Sequence, residues 1–304
     1  MKFHIFPLAT ALLALSACSD SAGLPGDTAD SPREMNVTFA HPSAGSRVTD
    51  TSFESGDCVG LYVLNTGDEL MAAGSMLSNV PLTFNGTAWT NPTPLYWNST
   101  PAGEVTPWTY DFYAYFPYQK SIASVTDHPF MVKLDQTRPA EGQSGYELSD
   151  FLWGSRLALP ASNDPVNIQF RHLMSRLTIR LIKGDDYEGE IPEDVKVYVH
   201  NTVPNAFIDL EYGFATVDGH SSAATIQARK ESTEVFSAII VPQRLDTRVP
   251  LIEVISEGVS YMYDTKFLFK SGINHLVNLV IDKNPDQLKI EIGGEITDWA
   301  STPL

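Results

Sequence analysis

The side chains best suited to metal binding or nucleophilic attack are seven histidines (His4, His41, His128, His172, His200, His220, His275) and two cysteines, Cys18 and Cys58. Such chemistry needs several of these groups at short spacings, and no Cys-x-x-Cys, His-Glu-x-x-His, Gly-x-Ser-x-Gly or phosphate-binding glycine loop occurs. His172 and His275 sit inside strand-like runs, where a histidine serves as a structural residue. Cys58 lies in Asp57-Cys58-Val59-Gly60-Leu61-Tyr62-Val63, with no histidine or basic residue close in sequence to depress its pKa, and reads as a small apolar side chain. Asp185-Asp186 and Glu188-Gly189-Glu190 flank Tyr187, but they lack the spaced Asp-x-Asp-x-Asp-Gly loop and distal Glu of a calcium site, so a solvated loop is expected. Trp89, Tyr96, Trp97, Trp108, Tyr110, Tyr113 and Tyr115 could form a sugar-stacking platform, although the alternation of Tyr113 and Tyr115 favours core packing. The expectation is a protein with no catalytic residues, no metal and no cofactor, and therefore not an enzyme.

Chemistry of another kind is expected at Cys18. Met1 and Lys2 precede an apolar block from Ile5 to Leu15, and Leu15-Ser16-Ala17-Cys18 stands where polar sequence begins. The block is too short to cross a hydrocarbon core of about 30 Å, so residues 1–17 read as a signal peptide. Leu-Ser-Ala-Cys resembles the bacterial lipobox, in which the cysteine thiol is lipidated and the chain is cut before it. The alternative is ordinary secretory cleavage near Ala17. Several acyl chains on Cys18, each worth about 0.8 kcal/mol per buried CH₂, would anchor the protein without any other contact. Lipidation would leave Cys58 without an internal partner, so no disulfide is expected.

At 304 residues the chain can bury a sizeable core, and two domains are the default. A formal net charge of -17 disfavours binding to phosphate backbones and electrostatic docking on anionic lipid. Residues 18–33 are small, polar and turn-rich, a lipidated tether that cannot fold alone. Met35, Val37 and Phe39 then alternate with Asn36, Thr38 and Ala40, the period-two pattern of a half-buried strand.

Strand-like runs recur at Cys58 to Val63, Thr109 to Phe116, Met131 to Leu134 and Phe151 to Trp153, separated by Asn85-Gly86 and many prolines. Leu173, Ser175, Leu177, Ile179 and Leu181 predict one face of a strand, with Arg176, Thr178 and Arg180 on the other; Val195, Val197 and Val199 repeat the device. Leu251 to Ile255 and Val259 to Phe269 flank Glu257-Gly258, and Leu288 to Ile292 and Glu295 to Trp299 flank Gly293-Gly294, both reading as tight hairpins. Twenty prolines and twenty glycines spread throughout suit turns between strands rather than long helices, so the fold class is all-β. Pro160-Ala161-Ser162-Asn163-Asp164-Pro165 is the best boundary, giving an N-terminal β-sandwich over 34–162 and a C-terminal one over 163–304.

Several segments resemble the fimbrillin family of Bacteroidetes, the lipoprotein subunits of the type V pilus and their accessory relatives. They are Phe53-Glu54-Ser55-Gly56-Asp57-Cys58-Val59-Gly60-Leu61-Tyr62, Tyr113-Ala114-Tyr115-Phe116-Pro117-Tyr118 and Ser149-Asp150-Phe151-Leu152-Trp153-Gly154 in the first half. In the second half they are Phe170-Arg171-His172-Leu173-Met174-Ser175-Arg176-Leu177-Thr178-Ile179, Ile240-Val241-Pro242-Gln243 and Ile296-Thr297-Asp298-Trp299. Each is weakly specific alone; their order behind a lipobox makes the combination informative.

The resemblance implies two transthyretin-like β-sandwich domains in tandem, export to the outer membrane as a lipid-anchored cell-surface protein, and cleavage after an N-terminal arginine. Assembly with other fimbrial subunits would follow by strand exchange. Arg47 matches the family's processing position, with Arg33 the second choice and a plain exposed loop arginine the alternative. Met35, Val37 and Phe39 would belong to the released strand. Only five residues follow Trp299, so a donor strand is expected within the final hairpin or not at all, and a tip or accessory role is as credible as a shaft role. Membrane contact would be through the lipid alone, with a host or bacterial surface ligand as a further partner. A surface glycan-binding lipoprotein is the competing reading.

Overall fold

A computed structural model of the chain describes residues 33–42, 52–98, 107–137, 139, 144–185 and 187–281, with the backbone alone for 289–296. The described residues are built almost wholly from strands, with one short 3-10 turn (Glu147–Ser149) and no α-helix among them. The first half contributes β1 (Val37–Ala40), β2 (Cys58–Asn65), β3 (Leu77–Phe84), β4 (Trp89–Thr90), β5 (Thr109–Phe116), β6 (His128–Met131), β7 (Leu152–Pro160), β8 (Val166–Gln169) and β9 (Arg171–His172). A six-stranded sheet runs in the order β4-β3-β2-β5-β7-β9, and β1 and β8 form a separate two-stranded sheet against it. Alternation decides which residues meet. Val59, Leu61 and Val63 of β2 and Phe112, Ala114 and Phe116 of β5 join one core with β1 and β8, while Tyr62, Leu64 and Tyr115, one residue out of phase, join the other. The central strands are thus buried on both faces, and each buried Val, Leu or Phe among these contributes roughly 1.5–3 kcal/mol.

The second half contributes β10 (Ser175–Lys183), β11 (Lys196–Thr202), β12 (Asn205–Asp209), β13 (Phe214–Val217), β14 (Ala224–Gln227), β15 (Arg229–Lys230), β16 (Val235–Ile240), β17 (Gln243–Ser256), β18 (Val259–Phe269), β19 (Asn274–Ile281) and β20 (Lys289–Ile296). A five-stranded sheet, β15-β16-β10-β19-β20, and a four-stranded sheet, β14-β11-β17-β18, enclose the larger core, to which Leu177, Ile179, Val197, Val199, Ile252 and Val254 contribute. A three-stranded sheet, β13-β12-β6, takes its last strand from the first half. Conversely β8 and β9, which follow the proline-flanked 160–165 segment, pair with β1 and β7.

The β17–β18 hairpin forms as its sequence suggests: Glu257 (φ 50°) and Gly258 (φ 78°) both adopt the left-handed region that a two-residue turn of matching twist requires. The final hairpin does not. Residues 289–296 form one strand, β20, antiparallel to β19, and the register jumps from Val277↔Ile292 to Leu276↔Gly294. Gly293 is therefore the extra residue of a β-bulge, the other use of a glycine inside a strand pattern. Arg176 and Thr178 lie opposite Leu177 and Ile179, as expected, and are themselves 4% and 1% exposed: the Tyr146 ring lies 5.9 Å from the Arg176 guanidinium, and Thr178 Oγ1 donates to Asn274 Oδ1 at 2.8 Å. The Met131 to Leu134 run is displaced to β6, which ends at Met131. β3 was not expected, since Ser78, Asn79 and Pro81 weaken its pattern; β3 hydrogen-bonds to β4 only at Thr83 and Phe84, so the missing N–H of Pro81 interrupts no ladder there.

Candidate functional site

Among the described residues the feature with most functional content is the seat of β1. Met35, Val37 and Phe39 are 3%, 5% and 7% exposed, whereas Asn36 and Thr38 between them face solvent, as a period-two strand demands. Phe39 carries the most specific contacts. Its ring stacks on Phe170 at 5.5 Å and meets the edge of Trp89 at 4.9 Å, and Phe53 closes the cluster against Trp89 and Phe170. Such aromatic pairs add about 0.5–1.5 kcal/mol each beyond their burial.

The backbone of this segment is held on one edge. β1 runs parallel to β8 from Val37↔Val166 to Ala40↔Gln169, with the Val166 and Phe170 amides donating to Asn36 O at 2.8 Å and Ala40 O at 3.0 Å. Val37, Thr38 and Phe39 also line a 590 Å³ groove whose other wall is Leu82, Phe84, Trp89 and Leu95. Upstream, Met35 N–H donates to Leu95 O at 2.7 Å, and Trp97 N–H donates to Arg33 O at 2.9 Å. Arg33 is exposed but tied, its Nη1 donating to Ala161 O at 2.8 Å. Cys18 and Arg47 lie outside the described residues.

The other candidates resolve into structural roles. Cys58 is half-buried, with Thr83 Oγ1 donating to its sulfur at 3.7 Å, and burial pushes its thiol pKa up, away from the reactive thiolate. His172 bonds Asp150 through Nδ1 at 2.9 Å, His275 Nε2 accepts from the Lys270 amide, and His128, buried at the start of β6, has its pKa lowered by burial. His200 lies between Thr225 and Glu253, at 2.9 Å from each, and Ser260 donates to the same carboxylate at 2.6 Å; this hydrogen bond is the main reason Glu253 is held below the usual carboxylate range. In the acidic turn Glu190 pairs with Lys183 at 3.0 Å, and no group of three metal-ligating side chains forms among the described residues.

The aromatics of the first half do not assemble a sugar platform. Trp97, Tyr110 and Tyr115 are buried, Trp89 completes the Phe39 cluster, and of the seven only Tyr96 is largely exposed. Exposed rings appear instead in the second half, where Tyr212 (59%) and Phe214 (60%) lie nearly parallel on the β12–β13 turn. That turn is tied by hydrogen bonds: Asp209 Oδ1 accepts from the Glu211 and Tyr212 amides, and Arg171 Nη2 donates to the Gly213 carbonyl at 2.8 Å. Gly213 has φ +72°, and a Cβ there would stand 2.5 Å from Trp153. Sequence reading missed this pair because Leu210-Glu211-Tyr212-Gly213-Phe214 has no motif beyond its turn glycine.

Comparison with known proteins agrees with this architecture. A cell adhesion protein of Bacteroides uniformis superposes with a TM-score of 0.65 at 18% identity, over 87% of this chain and 98% of that one. One from Bacteroides ovatus gives 0.63 at 18%, over 87% and 96%. In sequence, the chain is 26% identical over 220 residues to a Bacteroides ovatus protein described as the fimbrium tip subunit Fim1C, a match covering 66% of this chain but only 39% of that relative's length. The fimbrillin-like family model matches residues 46–299, and on that extent the chain belongs to the fimbrillin-like family, a family of fimbrial proteins rather than enzymes.

Proposed function

We infer that this chain is a subunit of a cell-surface fimbria, exported as a lipoprotein through Cys18, cut after Arg47, and joined to other subunits by strand exchange. The observation that carries the reading is β1 with the residues just before it: Met35, Val37 and Phe39 are buried, β1 is hydrogen-bonded to β8, and an open groove lies beside it. A strand so placed can leave without breaking the six-stranded sheet, and its departure strips β8 of its partner, leaving backbone groups and apolar surface that another subunit's strand can cover. Arg47 suits this role better than Arg33, because a cut must fall after residues 37–40 to release β1. Arg33 precedes β1, and its carbonyl is already engaged by Trp97.

We favour a tip or accessory position over a shaft position, on the likeness to a protein described as a tip subunit. A second reading, a surface glycan-binding lipoprotein, is favoured by the exposed parallel rings of Tyr212 and Phe214; it predicts depletion of the protein by insoluble polysaccharides, whereas a subunit without that activity stays in solution. The two-sandwich division of 34–162 and 163–304 stays part of the proposal, with β6 joining the second half and β8 and β9 the first.

Mass spectrometry of N-termini from cells tests the main reading. Precursor should begin with acylated Cys18 and assembled protein with Val48. Assembled protein that still begins with acylated Cys18 would refute the cleavage, and a Cys18→Ala variant still labelled by a fatty acid would refute the anchor.

A further inference from the structure

Between β6 and β7, residues 132–137 and 144–151 form the two described parts of a strap across the second half. Its backbone adds to the end of β14: the Gln227 amide donates to Leu134 O at 2.7 Å, and the Gln136 amide donates to Gln227 O at 3.1 Å. The fully buried carboxamide of Gln136 then clamps Ile239 of β16, donating to its carbonyl at 2.8 Å and accepting from its amide at 2.7 Å. Further along, Tyr146 lays its ring 3.7 Å from the guanidinium of Arg229 and 5.9 Å from that of Arg176. These arginines are 0% and 4% exposed and share the Glu231 carboxylate, at 2.6 and 3.6 Å. A buried guanidinium is tolerated only while its partners stay in place, and Tyr146 is one of them.

The same strap borders the seat of β1. Its 3-10 turn ends at Asp150, which bonds His172, and the His172 ring meets the edge of the His41 ring at 5.8 Å. His41 is the residue directly after β1. His41, Tyr146, Glu147 and Asp150 line one 210 Å³ cavity together with Phe53 and Phe116.

We propose that this strap couples occupancy of the β1 seat to the rigidity of the second-half sheets. The inference rests on the strand-release reading and adds a regulatory consequence to it. With β1 seated, His41 supports His172 and Asp150, the short turn stays closed, and Tyr146 covers Arg229. When β1 leaves, that support goes with it, and the strap loosens its hold on Ile239 and Gln227. The freed subunit is then less rigid in both halves until a partner strand refills the seat, so refilling tightens the β16–β10–β19 region as well as the first sandwich.

Amide hydrogen exchange on the full chain tests this with Phe39→Asp, which unseats β1, and with Phe39→Ala should the charged variant fail to fold. Val166 and Phe170 report the seat; Gln227 and Ile239 report the strap. The expected result is exchange at least fivefold faster at all four amides, the lower range of ordinary coupling between sites. Because coupling is reciprocal, Tyr146→Ala should speed exchange at Val166 and Phe170 as well. Faster exchange at Val166 and Phe170 alone in the Phe39 variants overturns the coupling and leaves strand release standing. Unchanged exchange at all four amides in these variants overturns both.

Discussion

At the scale of single residues, the least replaceable positions are those where backbone approaches backbone. Gly145 is the clearest case: a Cβ there would stand 1.9 Å from the carbonyl oxygen of Asp135, and backbone cannot move aside as a flexible side chain can. Gly145→Ala is expected to lower stability by about 2 kcal/mol or more through strain in the strap, measured as a drop in the urea midpoint. Glu253 offers a pH-dependent test. Its folded-state pKa is held down first by the Ser260 hydrogen bond and further by His200, against the opposing effect of burial. A carboxylate with a depressed pKa adds stability that is complete above its unfolded value near 4.5 and disappears as pH falls toward the folded value. Ser260→Ala should therefore reduce stability at pH 7 and flatten the decline below pH 4.5. Parallel pH–stability curves for the variant and the natural protein would contradict this account.

At the scale of elements, β1 is the strand whose removal has the most defined consequence. If Met35, just before it, and its own Val37 and Phe39 each contribute roughly 1.5–3 kcal/mol, their loss should destabilise the first sandwich by several kcal/mol, less whatever collapse recovers. Protein lacking residues 19–47 should melt below the full mature chain, and should regain stability or associate when a strand of alternating apolar residues is supplied. Equal melting temperatures without association would identify the segment as a tether only. The strand was legible in sequence because Met35, Val37 and Phe39 follow the pleat without interruption. Its parallel pairing with β8 was not, since nothing local in Val166–Gln169 says which edge, 129 residues away, it will meet.

At the scale of the whole molecule, charge governs how copies meet. The full chain carries a formal net charge of -17, and copies cut after Arg47 stay strongly acidic and repel one another at neutral pH, so association of strand-depleted copies should quicken as salt rises from about 0.01 to 0.15 M, where the screening length falls from about 30 to 8 Å. A rate that falls with salt would instead indicate attraction to a basic partner surface.

Residue order alone determined that the protein is all-β, where most turns fall, and which side chains of β1, β10 and β11 share a face, because a period of two is a local property of the backbone. It also carried the family, in short runs such as Phe151-Leu152-Trp153-Gly154, where Gly154 admits the close approach of the Gln169 carbonyl. Only the tertiary structure decided which faces meet water. The face of β10 that carries Arg176 and Thr178 is buried too, with Tyr146 of the first half beside Arg176, and Gly293-Gly294 read as a turn until β19 extended alongside. Likewise β6 and β8 each joined the sheet of the other half. Strand pairing between distant segments depends on packing and on the entropy of closing long loops, and neither is encoded in any window of neighbouring residues.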